Sequence, residues 1–541
     1  MKKTDSRKMT VTFTVFLITV SLINACSSPG GNASTAQPAA EKEAEKKPAK
    51  LTYFMEMSDA TAAVVKNQSE TLAYQEMEKI TGIKMEFQHP PKGQGQSVQA
   101  LNLMIASNNL TDIIHTNWLS FNGGPEKAIN DGVIIDLKDL IEKHAPNLSK
   151  ILKENPDVRK QISTDTGKIY AFPDLTLKKE QLTYWGLGIR QDWLEKLGLQ
   201  APTTIDEWYT VMKAFKENDP NGNGKRDEIP MNINLNQIRT GNAEDTLVGA
   251  WGIGFDFYQE DGKVKYGMLD PKFKEFIATL QKWYKEGLLD QEYATTDTKL
   301  FDAKMTGDRI GSSVFLAGGG IGKYNQLMET KNPNFKLAGT AYPTLKKGDV
   351  PELGHKINYF TGVGDAVSKS NKNPIETVKW LDYKYGPEGH MLFNFGIEGK
   401  TYKMENGYPK YTDEVMKNPQ GLPVSQALAK IYGFTAKVID IRYNEQYSWI
   451  TPLQKNAVKL WSEPLNKKKM PPVTPSPEES TKYASVMNDV KTYTDEMLNK
   501  FIMGAEPIEN YDNFVNKLKS LHIDEAIKIQ QTALDRYNKR P

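Results

Sequence analysis

Residues 50–57 read Lys-Leu-Thr-Tyr-Phe-Met-Glu-Met, and this apolar run predicts the buried first strand that decides the fold. Outward from it, the apolar spacing predicts a helix over 69–81, a strand over 83–87, a helix over 98–107 and a strand over 112–115. Strands alternating with helices are typical of a parallel sheet covered by helices. Because ligands bind beyond the carboxyl ends of such strands, the loops 89–97 and 116–124 are predicted to border a binding site.

The rest of the chain continues this alternation and predicts an α/β fold. Further helices are predicted over 192–199, 204–217, 271–287, 373–385, 387–395 and 524–539. Thr204, followed by Glu207 three residues later, predicts a helix N-cap with a capping box.

Composition excludes several classes of protein. The 541 residues are 39% hydrophobic, which rules out disorder of the whole chain. Lys and Arg number 69 against 67 Asp and Glu, so general binding to nucleic acid has no electrostatic support. A single cysteine cannot form an intrachain disulfide, and the six scattered histidines show no pair at zinc-ligand spacing.

The amino terminus predicts an exported, lipid-anchored protein. Basic residues precede an apolar stretch over 11–23, which is too short for a membrane span and is typical of a signal peptide covering residues 1–25. The stretch ends in Ala25-Cys26 and resembles the bacterial lipoprotein box, which implies a lipid on the Cys26 thiol. Residues 27–50 contain no large apolar side chain, so 26–50 is predicted to be the lipidated cysteine and a solvated tether on the outer face of the cell membrane.

The segment 219–228 predicts a structural calcium ion. Its oxygen-bearing side chains fall at loop positions 1, 3, 5 and 9, a glycine allows the sharp turn at position 6, and the backbone carbonyl of Lys225 lies at position 7. The usual glutamate at position 12 is replaced by Pro230, and Glu228 at position 10 is the substitute. A plain turn-rich loop is the alternative, since Asp, Asn and Gly favour turns. The predicted ligands are Asp219, Asn221, Asn223, Lys225, Asp227 and Glu228.

Several short strings, taken in order, carry a family resemblance. They are Gly-Gly-Pro-Glu-Lys-Ala at 123–128, Arg-Gln-Asp-Trp-Leu-Glu-Lys-Leu-Gly-Leu at 190–199, Pro-Thr-Thr at 202–204, Asp-Glu-Trp at 206–208, Glu-Gly-Leu-Leu-Asp at 286–290 and Asn-Phe-Gly-Ile-Glu-Gly at 394–399. Over residues 51–541 the chain resembles the extracellular solute-binding proteins of ABC importers, in the family 1 sugar-binding group. It is similar to the large lipoproteins of Gram-positive bacteria and to the related alginate-binding proteins, in which a position-10 glutamate binds calcium.

The resemblance implies a two-lobed, periplasmic-binding-protein-like fold of type II. Each lobe is expected to be a mixed sheet flanked by helices, and a hinge joins the lobes. The expected division is an N-lobe over 51–175 with a return segment at about 310–365, a C-lobe over 176–309 that holds the calcium loop, and the remainder of the C-lobe over 366–541. The resemblance also implies closure on an oligosaccharide, delivery to the permease subunits of an ABC transporter, a monomeric state and no catalysis.

Sugar chemistry selects the candidate binding residues. Aromatic rings stack on the apolar face of a sugar, while amide, carboxylate and guanidinium groups satisfy its hydroxyls. Tryptophans within predicted helices are expected to pack in the core, namely Trp193, Trp208, Trp283 and Trp380. Those in glycine-containing loops are candidates, together with polar and aromatic neighbours: Asn117, Trp118, Glu126, Tyr184, Trp185, Arg190, Trp251 and Tyr359.

Two other functions stay open at this point. A surface glycoside hydrolase or lyase would need two carboxylates across a cleft, and with 67 acidic residues the sequence always offers a pair. A tethered carbohydrate sensor would use the same binding chemistry as a transport receptor.

Overall fold

In the computed structural model, which describes residues 50–93, 95–233, 239 and 245–540, the chain passes through a first lobe, a second lobe, the first lobe again and finally the second lobe. The predicted signal segment, Cys26 and the tether before residue 50 lie outside the described residues.

The first segment builds most of the first lobe. Its strands are β1 (Lys50–Phe54), β2 (Lys84–Gln88), β3 (Ile113–Asn117) and β4 (Phe172–Leu175). Its helices are α1 (Asp59–Ala62), α2 (Leu72–Thr81), α3 (Gln96–Ala106), α4 (Gly124–Asn130), α5 (Lys138–His144), α6 (Pro146–Glu154) and α7 (Pro156–Ile162). The order of elements predicted from residue 50 onward is therefore present.

The second segment builds most of the second lobe. Its strands are β5 (Trp185–Arg190), β6 (Phe257–Glu260), β7 (Lys263–Tyr266), β8 (Ser312–Leu316) and β9 (Leu337–Gly339). Its helices are α8 (Gln191–Leu197), α9 (Ile205–Glu217), α10 (Pro271–Lys285), α11 (Thr298–Thr306) and α12 (Lys323–Met328). A π-helical turn, Ala317–Gly322, follows β8.

The third segment returns to the first lobe, and the fourth completes the second. The third contains β10 (Phe360–Val367), β11 (Tyr402–Glu405), β12 (Tyr408–Tyr411), α13 (Pro374–Tyr383), α14 (Pro387–Phe395), α15 (Asp413–Met416), α16 (Val424–Tyr432) and α17 (Ile441–Tyr447). The fourth contains α18 (Pro452–Trp461), α19 (Pro477–Met503), α20 (Tyr511–Ser520) and α21 (Ile523–Asn538).

The first sheet has the order β2-β1-β3-β10-β4. The strands β1, β2 and β3 are parallel, as predicted, while β10 runs antiparallel between β3 and β4. The carboxyl ends of β1, β2, β3 and β4 and the amino end of β10 therefore share one edge. This edge faces the segments that cross to the second lobe, because β4 leads into the first crossing and β10 follows the second.

The second sheet has the order β8-β5-β9, with both pairings antiparallel. Single bridges extend it, since Ile229 pairs with Ile310 and Asn232 with Ser313, both in parallel. Each lobe thus has a mixed sheet flanked by helices and its own buried core, and the predicted α/β fold class is confirmed.

The division between lobes differs from the expected one. Residues 310–342 do not return to the first lobe, because β8 and β9 pair with β5 in the second sheet. The first lobe instead takes β10 and the helices up to Tyr447, whose buried or partly buried apolar residues pack in or against the first core. Pairing between strands so distant in sequence leaves no local signal at either strand, which explains the misplaced boundaries.

The predicted N-cap at Thr204 is confirmed, but the Glu207 side chain does not complete the capping box. The side chain of Thr204 caps α9 by accepting a hydrogen bond from the Glu207 amide at 3.1 Å. The Glu207 carboxylate, however, accepts from the amide and hydroxyl of Thr203 rather than from the N-cap amide. Among the residues that the structure describes, no helix combines the length and the apolar character needed to cross a bilayer.

Candidate functional site

A cavity of about 520 Å³ lies at the carboxyl edge of the first sheet. Residues after β1, such as Glu56 and Met57, form one side, and Lys92 from the loop after β2 and Ser97 from the first turn of α3 form another. His115, Thr116 and Asn117 at the end of β3 and Val363 of β10 complete the lining. The cavity therefore lies between the two loops that the strand order predicts to border a site.

The loop after β2 is tied to the end of β1. The Lys92 ammonium lies 3.1 Å from the Asp59 carboxylate and donates to the Met57 carbonyl. Both ends of this ion pair are exposed, so its contribution to stability is small. The ion pair instead fixes the position of the loop after β2 relative to the segment after β1, and both line the cavity.

A buried ionic network supports the cavity from below. The Asp365 carboxylate is fully buried and accepts hydrogen bonds from Tyr53 Oη and from His115 Nδ1, the latter at 2.7 Å. The Lys437 ammonium, 1% exposed, lies 2.8 Å from Asp365 and 2.5 Å from Asp174. Burial alone would raise the pKa of Asp365, but Lys437 and His115 outweigh it and hold that pKa well below its usual range.

Two smaller cavities lie beside the second crossing between the lobes. Their volumes are about 200 and 270 Å³, and both are lined by Lys356 and Asn466. Burial lowers the pKa of Lys356, and the neighbouring ammonium groups of Lys179 and Lys469 lower it further. The two cavities therefore place the polar side chains of Lys356 and Asn466 next to the segment that crosses between the lobes.

Three predicted sugar-binding residues are buried, and the structure corrects their assignment. Trp118 is 0% exposed and its Nε1 donates to the Gly364 carbonyl at 3.1 Å, so its ring has no face for a sugar. Trp251 is 5% exposed and packs edge-on against Phe276. A glycine-containing loop predicts exposure of its aromatic residue, but both rings complete the core of their lobe.

Arg190 is the third buried residue. Its guanidinium is 0% exposed, pairs with Asp192 and Asp308, and stacks between the rings of Trp193 and Phe335. The side chain therefore joins β5 to the turn before β8 and does not face a ligand.

The other predicted residues lie nearer to solvent. Asn117 lines the large cavity, where its Oδ1 accepts from the amides of Leu119 and Ser120. Tyr184 and Trp185 are partly exposed at the start of β5, and Tyr359 is partly exposed just before β10.

Glu126 is engaged in an ion pair. Its carboxylate binds Lys168 at 2.5 Å and Thr166 at 2.8 Å, beside a separate cavity of about 260 Å³. The tryptophans expected to pack in cores do so, with exposures of 0–3% for Trp193, Trp208, Trp283 and Trp380.

The predicted calcium loop folds around its own first residue. The Asp219 carboxylate accepts hydrogen bonds from the amides of Gly222, Asn223 and Gly224, and the last of these contributes most to lowering the pKa of Asp219. In the described part of the chain, no group of three or more His, Cys, Asp or Glu side chains is gathered as a metal site.

One observation nevertheless fits a cation in this loop. Both carboxylate oxygens of Glu228 are buried without a hydrogen-bond partner among the described residues. Burial raises the pKa of Glu228, and the carboxylates of Asp219 and Asp227 add to this rise, against a lowering by the nearby backbone amides of Glu228 and Asn221. A bound divalent cation would satisfy these oxygens, and calcium prefers such carboxylate, amide and carbonyl oxygens.

Sequence reasoning missed His115, Asp365 and Lys437. They lie on β3, on β10 and between α16 and α17. The pairing of β10 with β3 brings Asp365 to His115, and the pairing of Leu175 at the end of β4 with Val438 places Lys437. No local pattern in the sequence marks them.

Comparisons with known proteins agree with this architecture. A family model described as bacterial extracellular solute-binding protein matches residues 57–391. The fructooligosaccharide ABC transporter substrate-binding protein FusA of Streptococcus pneumoniae is 28% identical over 87% of this chain and 88% of its own. Lipoprotein LipO of Bacillus subtilis is 25% identical over 61% of this chain and 64% of its own.

Solved structures show the same fold. The alginate-binding protein AlgQ2, in a structure without calcium ion, has a TM-score of 0.69 and 28% identity, covering 90% of this chain and 98% of that chain. FusA in complex with kestose has a TM-score of 0.70 and 25% identity, covering 90% and 99%. A further FusA structure is of an EF-hand mutant, at 24% identity and a TM-score of 0.70.

Proposed function

The chain belongs to the family of bacterial extracellular solute-binding proteins, and from this premise we propose that it captures an oligosaccharide and delivers it to an ABC importer. The observation that carries the proposal is the large cavity at the carboxyl edge of the first sheet, on the side of the crossings to the second lobe. The similarity to FusA over most of both chains supports the sugar class.

The proposed mechanism is closure of the lobes on the ligand. The first lobe contributes the cavity wall from β1, β2 and β3, and the second contributes Tyr184 and Trp185 at the start of β5. Their partly exposed rings suit stacking on a sugar face. A ligand that contacts both lobes favours the closed form, which a permease would then recognise.

Calorimetric titration of the purified protein with kestose, alginate oligosaccharides and oligogalacturonides tests this function. We expect heat of binding with at least one of them and recovery of that sugar intact. No binding across the panel would contradict the proposal. Shortened sugar products would instead identify a carbohydrate-active enzyme.

A carbohydrate sensor would bind the same sugar but would then contact a signalling receptor instead of an ABC permease. Pull-down of the sugar-loaded protein from detergent-solubilised membranes separates the two roles. We expect ABC permease subunits, and recovery of a signalling receptor in their place would contradict delivery to an importer.

We also propose a diacylglycerol anchor on Cys26 that holds the protein at the outer face of the cell membrane. The signal-like stretch before Cys26 supports it, as does the similarity to LipO. Labelling growing cells with radioactive palmitate should mark the protein and should fail to mark the Cys26→Ser variant. Equal labelling of both would contradict the proposal.

We propose a structural calcium ion in the loop 219–228. Asp219, Asn221, Asn223 and Asp227 would bind it through side chains, Lys225 through its carbonyl, and Glu228 through its two unsatisfied carboxylate oxygens. The ion would cross-link the loop, which Asn221 fastens to the Asp308 carbonyl at the turn before β8.

Stripping the protein with EGTA and titrating calcium back, followed by thermal melting, tests the ion. We expect binding with a rise in melting temperature, and a large loss of affinity in Glu228→Gln. Glu388→Gln on α14 in the first lobe serves as the control. No calcium-dependent rise in melting temperature would contradict the proposal.

A further inference from the structure

We propose that His115 is the polar ligand contact of the first lobe, that Asp365 and Lys437 are its positioning residues, and that the group it binds is a hydroxyl of an uncharged sugar. This inference rests on the proposed function, because it names the sugar class and one contact residue of the same cleft.

The strand register places His115 where both partners can reach it. His115 on β3 lies directly opposite Asp365 on β10, and two residues before the end of its strand at Asn117. Its side chain is 19% exposed and lines the large cavity, whereas Asp365 has no exposed surface. One side of the imidazole therefore reaches into the cavity while the other is fastened in the core.

The network fixes which nitrogen carries the proton. Asp365 stays ionised beside Lys437, at 2.8 Å, so the His115 nitrogen at 2.7 Å must donate to it through Nδ1–H. In the neutral ring, Nε2 is then left as an acceptor. Nε2 lies 3.7 Å from the Asp174 carboxylate, too far for a hydrogen bond. Since His115 lines the cavity, Nε2 is an acceptor that suits a hydroxyl donor of a sugar.

The balance of charge around the cavity selects against an acidic sugar. Glu56 and Asp59 line the cavity, and Asp59 alone of the two pairs with Lys92. Below them, Lys437 is shared between Asp174 and Asp365. Carboxylates thus exceed ammonium groups on this wall, and the carboxylate of a uronic acid would be repelled.

Calorimetric titration with kestose, maltotriose, mannotriose and trigalacturonate tests the assignment. We expect a neutral member to bind the wild type, and His115→Gln to weaken it by about tenfold, as the loss of one hydrogen bond would. His144→Gln, on α5 outside the cavity, is the matched control and should leave the affinity unchanged. Trigalacturonate should bind more weakly than the neutral sugar.

Nitrogen-15 NMR of histidine-labelled protein measures the tautomer of His115 and the chemical shift of its Nε2. The Nε2 shift would not change on sugar binding if His115 had only a structural role. The resonances lost in His115→Gln identify this ring, which should show the Nδ1-protonated tautomer and a shift of Nε2 when the neutral sugar binds. Asp365→Asn should abolish the tautomer preference if that variant folds. The wild-type tautomer test does not need a folded Asp365→Asn variant, because only the His115→Gln spectrum is used to identify the ring.

The possible outcomes distinguish a failure of the His115 assignment from a failure of the proposed function. A wild type that binds a neutral sugar, with His115→Gln unchanged in affinity or an unshifted Nε2, overturns this inference and leaves the proposed function standing. Tighter binding of trigalacturonate than of any neutral member overturns the assignment of an uncharged sugar. Binding of alginate oligosaccharides alone also overturns the assignment of an uncharged sugar. Failure of every member of this panel and of alginate oligosaccharides to bind the wild type overturns the proposed function, and this inference with it.

Discussion

Lys384 is a lysine with no exposed side-chain surface. Its ammonium donates to Tyr74 Oη at 2.8 Å and lies about 5 to 6 Å from the centroids of four aromatic rings, those of Tyr53, Tyr74, Trp380 and Phe393. Burial lowers the pKa of Lys384 to about 7, against a partly compensating attraction from Asp365. The cage therefore holds an amine that titrates near neutrality.

Lys384→Met should change how stability depends on pH. Between pH 7 and 10 the unfolded lysine binds a proton that the folded one does not, so this group makes the wild type more stable as pH rises. The slope is at most about 1.4 kcal/mol per pH unit. Methionine removes the titration, so the stability advantage of the variant should be largest near pH 7 and shrink toward pH 10.

Urea unfolding of both proteins at pH 7, 8.5 and 10 measures this difference. Parallel curves for wild type and variant would show that Lys384 does not titrate in this range. Lys403→Met, on the exposed hairpin strand β11, provides the control and should leave the pH dependence as it is in the wild type.

Arg190→Gln should damage stability and spare binding. Removing the guanidinium leaves Asp192 and Asp308 without their buried partner, which costs about 3–5 kcal/mol by comparison with other broken buried pairs. Denaturant unfolding should report that loss, while the sugar affinity of the folded variant stays at the wild-type value. A weakened affinity in a fully folded variant would restore Arg190 as a ligand contact.

At the scale of elements, α18 packs directly on the second sheet because glycines leave room for it. Trp461 Nε1 donates to the carbonyls of Leu187 and Thr340, and a Cβ on Gly186 would lie 2.3 Å from that nitrogen. Ala457 approaches Gly339 in the same way. The close contact of this helix with β5 and β9 depends on the absence of side chains.

Gly186→Ala should therefore destabilise the second lobe. The added methyl must displace a buried indole that is already hydrogen-bonded, and such overpacking costs about 1–3 kcal/mol. Thermal melting should show a clear decrease. Gly319→Ala is the comparison, since its nearest neighbour is the mobile end of Leu316 at 3.3 Å. Equal melting temperatures for the two variants would contradict the packing argument.

At the scale of the whole molecule, the end of α21 joins the lobes a further time. The Asp165 carboxylate of the first lobe accepts from Arg536 Nε and Arg540 Nε, each at 2.7 Å. Arg536 also binds Glu479 at the start of α19, at 2.9 Å, and Lys160 donates to the Asn538 carbonyl at 3.3 Å. These contacts tie the first lobe to two helices of the second lobe.

Asp165→Asn should loosen the lobes. Arg540 is 3% exposed, and an under-paired buried guanidinium costs about 1–3 kcal/mol. We expect a melting temperature lower by a few degrees and a larger radius of gyration in small-angle scattering of the sugar-free protein. Glu496→Gln, which removes an exposed pair within α19, should change neither quantity. An unchanged radius with a lowered melting temperature would assign these contacts to stability alone.

The features set by residues close together in the sequence could be predicted, and those set by contacts between distant segments could not. The apolar spacing from residue 50 predicts β1, β2 and β3, and the loops after them border the cavity, because these signals are local. The local sequence does not predict the burial of Trp118, because its ring packs in the first core and bonds to the carbonyl of Gly364, a residue of the distant strand β10. The same distant strand brings Asp365 to His115, so the network below the cavity is set by pairing that no local pattern reports.

The late arrival of β10 also has a consequence for biosynthesis. A nascent chain that has left the ribosome only as far as residue 350 has β3 and β4 without the strand that pairs between them. Unpaired strand edges invite aggregation and are targets for holding chaperones. The first lobe cannot complete its core before the helices up to Tyr447 are synthesised, and the second lobe cannot do so before α21 at Ile523–Asn538.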